Sequence, residues 1–123
     1  REAWIATRRL KEQKLIAIHN RGNRIIFELS DFGKLEALKM HIRKKKTKLP
    51  AGEWCLVSFD VPEVARKTRI AFRRFLKEVG FQQVHQSLWR TRNDLVIPMG
   101  ELVKRMDAQS WVTIYRAREG EIR

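Results

Sequence analysis

Asp60 and Glu63 end the segment WCLVSFDVPE, the most apolar stretch of the chain, with Pro62 between them. An aspartate followed three residues later by a glutamate has the spacing of a helix cap. In such a cap the side chain accepts a hydrogen bond from an amide of the first turn. Proline suits that turn because its missing N–H has no partner there anyway. Directly after it, Arg66, Arg69, Arg73, Arg74 and Lys77 recur at helical intervals. Two readings stand for this row: an ordinary solvated helix face, or a cationic track for phosphates. His85 and Ser87 share a strand face, but no orienting acid accompanies them, so Ser87 is expected to be a packed or hydrogen-bonded strand serine. His19, His41, His85 and Cys55 lack metal-ligand spacing, and no zinc site is expected. Phosphate-loop and dinucleotide fingerprints are missing.

The elements that must carry these residues follow from periodicity. Residues Ala3 to Lys14 favour a helix with a basic polar side. LIAIH and RIIFEL are β-type runs around Gly22 and read as a hairpin. Ser30 and Asp31 are good caps for a helix through Phe32, Leu35, Leu38 and Ile42. Lys44, Lys45, Lys46 and Lys48 then precede Pro50 and Gly52, the signature of an exposed linker, and place a module boundary near Leu49. Trp54 to Phe59 is an apolar strand suited to a covered sheet. Val64, Thr68, Ala71, Phe72, Phe75, Leu76 and Val79 form the buried stripe of a helix that Gly80 stops. FQQVHQSLWRT gives one or two strands with a bend near Gln86 and Ser87, Asn93 and Asp94 a turn, and LVIP a further short strand. Met99, Leu102, Val103 and Met106 mark a brief helix, and WVTIYRAR a last strand. The second module therefore reads strand, helix, strand, strand, helix, strand. That order predicts an α+β fold with helices on one face of an antiparallel or mixed sheet.

Length and charge bound the partners. The 123 residues fit one domain or two small modules, and 27 Lys+Arg against 14 Asp+Glu leave a net charge of +13. Such an excess points to a polyanion, nucleic acid first and an acidic membrane surface second. Through Pro50 there are 14 basic and 5 acidic residues, net +9, so the first module and the lysine run are the more electropositive part. One cysteine excludes an internal disulfide and points to a reducing compartment. No apolar run approaches the ~18 residues of a membrane span, and a cytoplasmic location is expected. Position 1 is Arg, so the parent polypeptide is expected to extend further at that end.

Two resemblances add to this reading. AWIATRRLKEQKLIAI, the Gly22 hairpin and ELSDFGK resemble the recognition helix, wing and following helix of a winged-helix domain, as a fragment over about the first 45 residues. The resemblance implies a helix in the DNA major groove and a wing on the backbone, with Arg8, Arg9, Lys11, Lys14, Arg21 and Arg24 as contacts. The apolar strand ending in Phe59-Asp60, the arginine-rich helix closing at Gly80 and VHQSLW after it resemble the small CRISPR-associated nuclease of the spacer-adaptation complex, a ferredoxin-like dimer. Still more similar is the central domain of the phenylacetate-degradation repressor (PaaX) family, with its tryptophan before the strand and FDVPE after it. The order of winged helix and then this domain is also that family's order.

The resemblance implies a partial winged helix with a basic linker over residues 1–49 and a ferredoxin-like domain over 50–123. It implies a homodimer that binds double-stranded DNA as a transcriptional regulator, with Arg66, Arg69, Arg73 and Lys77 extending the contacts. The rival is an endonuclease on DNA or RNA. In the nuclease family the acid matching Asp60 is the metal-associated residue and the serine matching Ser87 lies near the dimer centre. Asp60 would then hold magnesium or manganese, one carboxylate coming from each chain of a symmetric pair. A third possibility is an adaptation scaffold that positions DNA for an integrase partner.

Overall fold

A computed structural model describes residues 16–22 and 24–120. The helix expected over Ala3 to Lys14, and with it Arg8, Arg9, Lys11 and Lys14, lies outside the described residues. Contacts divide the chain into two compact units, meeting between Met40 and His41.

In the first unit, β1 (Ile16–Arg21) and β2 (Arg24–Leu29) pair antiparallel from Ile16↔Leu29 to Arg21↔Arg24. Gly22, at φ +61°, supplies the left-handed backbone that so tight a reversal needs. Helix α1 (Asp31–Lys44) follows. Ser30 caps it as expected: its Oγ accepts from the Gly33 amide at 2.9 Å, and its carbonyl accepts the first helical bond from Lys34 at 2.8 Å.

The second unit is a βαββαβ fold. Its elements are β3 (Glu53–Phe59), α2 (Arg66–Glu78), β4 (Gln82–His85), β5 (Leu88–Thr91), α3 (Val96–Arg105) and β6 (Val112–Arg118). The four strands form one antiparallel sheet in the order β4-β5-β3-β6, the ferredoxin-like arrangement. Strand β3 is central, and β4 and β6 are the edges. Along β3 every second residue is buried: Glu53, Cys55, Val57 and Phe59 face the core, while Trp54, Leu56 and Ser58 are half-buried on the other side. Both crossovers are helical: each joins two strands that run in the same direction with a third, antiparallel strand between them.

Core packing explains the crossovers. Phe72, Phe75 and Leu76 of α2 are buried, and Phe72 meets Phe59 edge-on, with ring centroids 5.2 Å apart. Each such side chain removed from water contributes about 1.5–3 kcal/mol. The helix ends in a Schellman arrangement, with the Phe81 amide on the Leu76 carbonyl (2.9 Å) and the Gly80 amide on Lys77 (3.2 Å). Gly80 has φ +98°, which explains why glycine stands there. Helix α3 ends the same way, with Asp107 in the left-handed position at φ +54°.

Three local expectations change. LVIP is not a strand: α3 begins at Val96, and Pro98 falls in its first turn, where no amide is needed. Leu95, Met99 and Leu102, all fully buried, follow helical spacing. Val64 is not in the helical stripe. It lies in a 3-10 turn, Glu63–Ala65, ahead of α2 and is 95% exposed. Lys44, Lys46 and Lys48 are exposed, as expected of the lysine run, and Lys45 is half-buried, but the segment is not loose. Thr47 and Leu49 bond through their backbones to Asp94 and Arg92, both at 2.8 Å, and Leu49 is buried. The last turn of α1 belongs to this unit too, through buried Ile42 and through Arg43, which pairs with Glu78 and lies over the Phe75 ring.

Candidate nucleic-acid interface

Strand β3 delivers Asp60 to the sheet's end. The Phe59 amide donates to the Ser87 carbonyl at 3.0 Å, and the Asp60 amide to the Trp111 carbonyl at 2.9 Å. Chain direction then breaks at buried Val61 and at Pro62, whose φ of −64° and ψ of 156° are extended. Asp60 is exposed, and its carboxylate has no hydrogen bond or ion pair among the described residues.

The expected capping role is not what Asp60 does. No side-chain cap bond forms at the 3-10 turn, whose capping residue is Pro62, or at α2, whose capping residue is Ala65. The 3-10 turn takes up the residues that a cap at Asp60 would have needed for the first helical turn. Glu63 instead pairs with Arg69 at 3.2 Å on a largely exposed surface, where such a bridge contributes about 0–1 kcal/mol.

What gathers around Asp60 is a cleft of about 330 Å³, lined by Phe59, Val61, Arg69, Arg73, Gln86 and Ser87. Arg69 and Arg73 come from α2, and Gln86 and Ser87 from the β4–β5 turn. Sequence reasoning named Asp60, Ser87 and the two arginines separately, and the fold brings them together. Gln86 was missed as a lining residue, since only the pairing of β5 with β3 puts that turn beside Asp60. The cleft holds one carboxylate and two guanidinium groups, a net charge of +1. Within this one chain, the donor set suits an anion better than a resident divalent cation. Among the described residues no group of three or more His, Cys, Asp or Glu is arranged to hold a metal.

Arg73 also borders a second cleft, about 390 Å³, with Ile70, Arg74 and Lys77. Arg66, Arg69, Arg73 and Lys77 follow one another at three- and four-residue steps and therefore occupy one side of α2. Arg66 and Lys77 are exposed, while Arg69 and Arg73 are half-buried. Of these four only Arg69 has an acidic partner among the described residues. In the first unit, Arg21 and Arg24 are the cross-strand pair that closes the hairpin at Gly22. Ser87 is not the strand serine expected: it lies in the β4–β5 turn, where its carbonyl accepts from the Phe59 amide, while His85 ends the exposed edge strand β4.

Residues 48–123 match the family model described as the PaaX protein central Cas2-like domain. The chain belongs to the PaaX family. No curated protein matches it. For a PaaX-family chain the antiparallel sheet and its two crossover helices are the family's Cas2-like, ferredoxin-like domain, with Asp60 at the end of the first strand of that domain. No described helix is long and apolar enough to cross a membrane.

Proposed function

We propose that this PaaX-family chain is a homodimeric regulator that binds double-stranded DNA in the cytoplasm, with the α2 row of Arg66, Arg69, Arg73 and Lys77 lying along the phosphate backbone. The observation that carries the reading is that row: four cations on one helix side, three of them without an acidic partner among the described residues. Mutually repelling charges on one rigid helix are relieved by a polyanion. The winged-helix likeness of the first residues supports a duplex partner, with Arg8, Arg9, Lys11, Lys14, Arg21 and Arg24 as further contacts.

The test is duplex binding across salt. Four neutralised phosphates give a slope of about −3.6 in log affinity against log salt, roughly 100-fold between 50 and 200 mM. Arg66→Ala/Arg69→Ala/Arg73→Ala/Lys77→Ala should flatten the slope by that amount. A salt-insensitive complex, or a variant with the wild-type slope, removes the reading.

A nuclease remains the second reading because Asp60 offers a carboxylate without a partner among the described residues, in a cleft it shares with Arg69 and Arg73. It requires a second carboxylate, which the partner's copy of the same residue would supply, and magnesium or manganese. Labelled DNA and RNA incubated with either ion, beside Asp60→Ala, decide between the two. Metal-dependent cutting lost in the variant would replace the regulator by a phosphodiesterase. Copurification of an integrase would instead favour an adaptation scaffold.

A further inference from the structure

The lysine run, expected to be a linker, forms one wall of a cleft far along the sheet from Asp60. This cleft of about 450 Å³ is bordered by Lys46, Lys48, Arg90, Arg92, Trp54 and Asn93, and among the described residues no carboxylate lines it. Four cations around one hollow repel one another, so the groups that hold them there matter. Lys48 Nζ donates to Asn93 Oδ1 at 2.6 Å. The Arg92 guanidinium donates to the carbonyls of Leu49, Pro50 and Glu53. Arg90 lies over the Trp54 ring, 4.3 Å from its centroid, and Arg92 lies 5.5 Å from it. The indole itself is fixed by its Nε1 donating to Glu119 at 2.8 Å.

Every hydrogen-bond and ring partner of these cations is neutral, and the Glu53 carboxylate, whose charge Arg92 also feels, is bonded by Arg116 instead. Amide, carbonyl and indole groups satisfy geometry while leaving the positive charges in place, whereas a purely structural cluster would be stabilised by carboxylates. Lys46 and Arg90 are exposed and have no acidic partner among the described residues. We propose that this cleft is a seat for the phosphodiester backbone of a DNA duplex, separate from the α2 row. Its chemistry is that of charge-assisted bonds to phosphate oxygens. The Trp54 ring is already covered by guanidinium groups, so a ligand with an apolar or aromatic body gains little here, while a phosphate chain needs only the free N–H groups. DNA as the occupant rests on the regulator reading. The phosphate seat rests on the cleft alone.

The experiment follows the side-chain N–H signals of Trp54 and Arg90 in the nitrogen-labelled full chain. A short duplex and, separately, tripolyphosphate are added at low salt, and Lys46→Ala/Arg90→Ala is compared in duplex binding across salt. Both signals should shift with the duplex, and the double variant's salt slope should be shallower by about 1.8. Lys46→Gln, which leaves the Arg90–Trp54 stack untouched, should flatten it by about 0.9. Should the duplex move only the α2 arginines, with unchanged slopes in both variants, the seat is overturned and the regulator reading survives. A response to tripolyphosphate without one to the duplex overturns DNA as the occupant. Silence of every basic side chain toward the duplex removes the regulator reading as well.

Discussion

The Asp60 amide is tied to the Trp111 carbonyl at 2.9 Å, so the sheet, and not the helix that follows, decides where the Asp60 side chain points. A residue held in this way contributes little to stability through its carboxylate. Asp60→Ala should therefore change the unfolding free energy by less than about 0.5 kcal/mol, where loss of a helix cap costs about 1 kcal/mol. Urea melts of the two proteins measure it. The same substitution takes from the cleft of Arg69 and Arg73 the one negative charge among its described lining residues, so duplex affinity should hold or rise.

Glu53 and Arg116 give the domain an acid-sensitive contact. Arg116 Nε donates to Glu53 Oε1 at 2.7 Å, and that bond, with the surrounding arginine charges, holds the Glu53 carboxyl below its usual 4.5 despite partial desolvation. A depressed carboxylate stabilises the fold fully above the unfolded value and loses that contribution as pH falls through the folded value. Glu53→Gln should therefore lower the urea midpoint at neutral pH and show a weaker fall in stability below about pH 4.5 than the wild type.

Cys55 is fully buried in β3, and burial pushes its thiol up to about 12. A thiol reagent should modify it only when the domain opens, at a rate that tracks unfolding in a urea series. Because the fold favours the neutral thiol, stability should decline as pH rises from 9.0 toward about 12.

Two helix ends differ in how well their residue suits the backbone. Gly80→Ala puts a Cβ at φ +98°, 3.7 Å from Asn93 Nδ2, which is ordinary contact. Its cost is thus conformational, about 1–2 kcal/mol. Asp107→Gly relieves the same strain at φ +54° and should stabilise by about 0.5–1 kcal/mol. Thermal melts of the two variants should move in opposite directions.

The order of elements was legible because the hydrophobic period changes sharply at each boundary, from the alternation of β3 to the stripe of Phe72, Phe75 and Leu76. Gly80 marked a helix end for a local reason, and so did Ser30 a helix start. The errors lie where the decisive partner is distant in sequence. LVIP resembles a strand until Leu95 and Met99 are seen to share the core with Leu102. Lys48 reads as linker because Asn93, which holds it, is far along the chain. The Asp60 cleft depends on the alignment of β3 with β5, from Cys55↔Thr91 to Ser58↔Leu88, which no local window contains. The lysine run marked a boundary near Leu49, beside residue 48 where the family match begins, while the contacts part the chain between Met40 and His41.

The pairing of β3 with β6, from Glu53↔Arg118 to Phe59↔Val112, joins the opening strand of the domain to its closing one. On a ribosome this means that the most apolar strand emerges early and waits with one flank bare until nearly the whole domain has been synthesised. A nascent chain stalled before Val112 should therefore stay open to protease and attractive to chaperones, and should close only once Arg118 has cleared the exit tunnel.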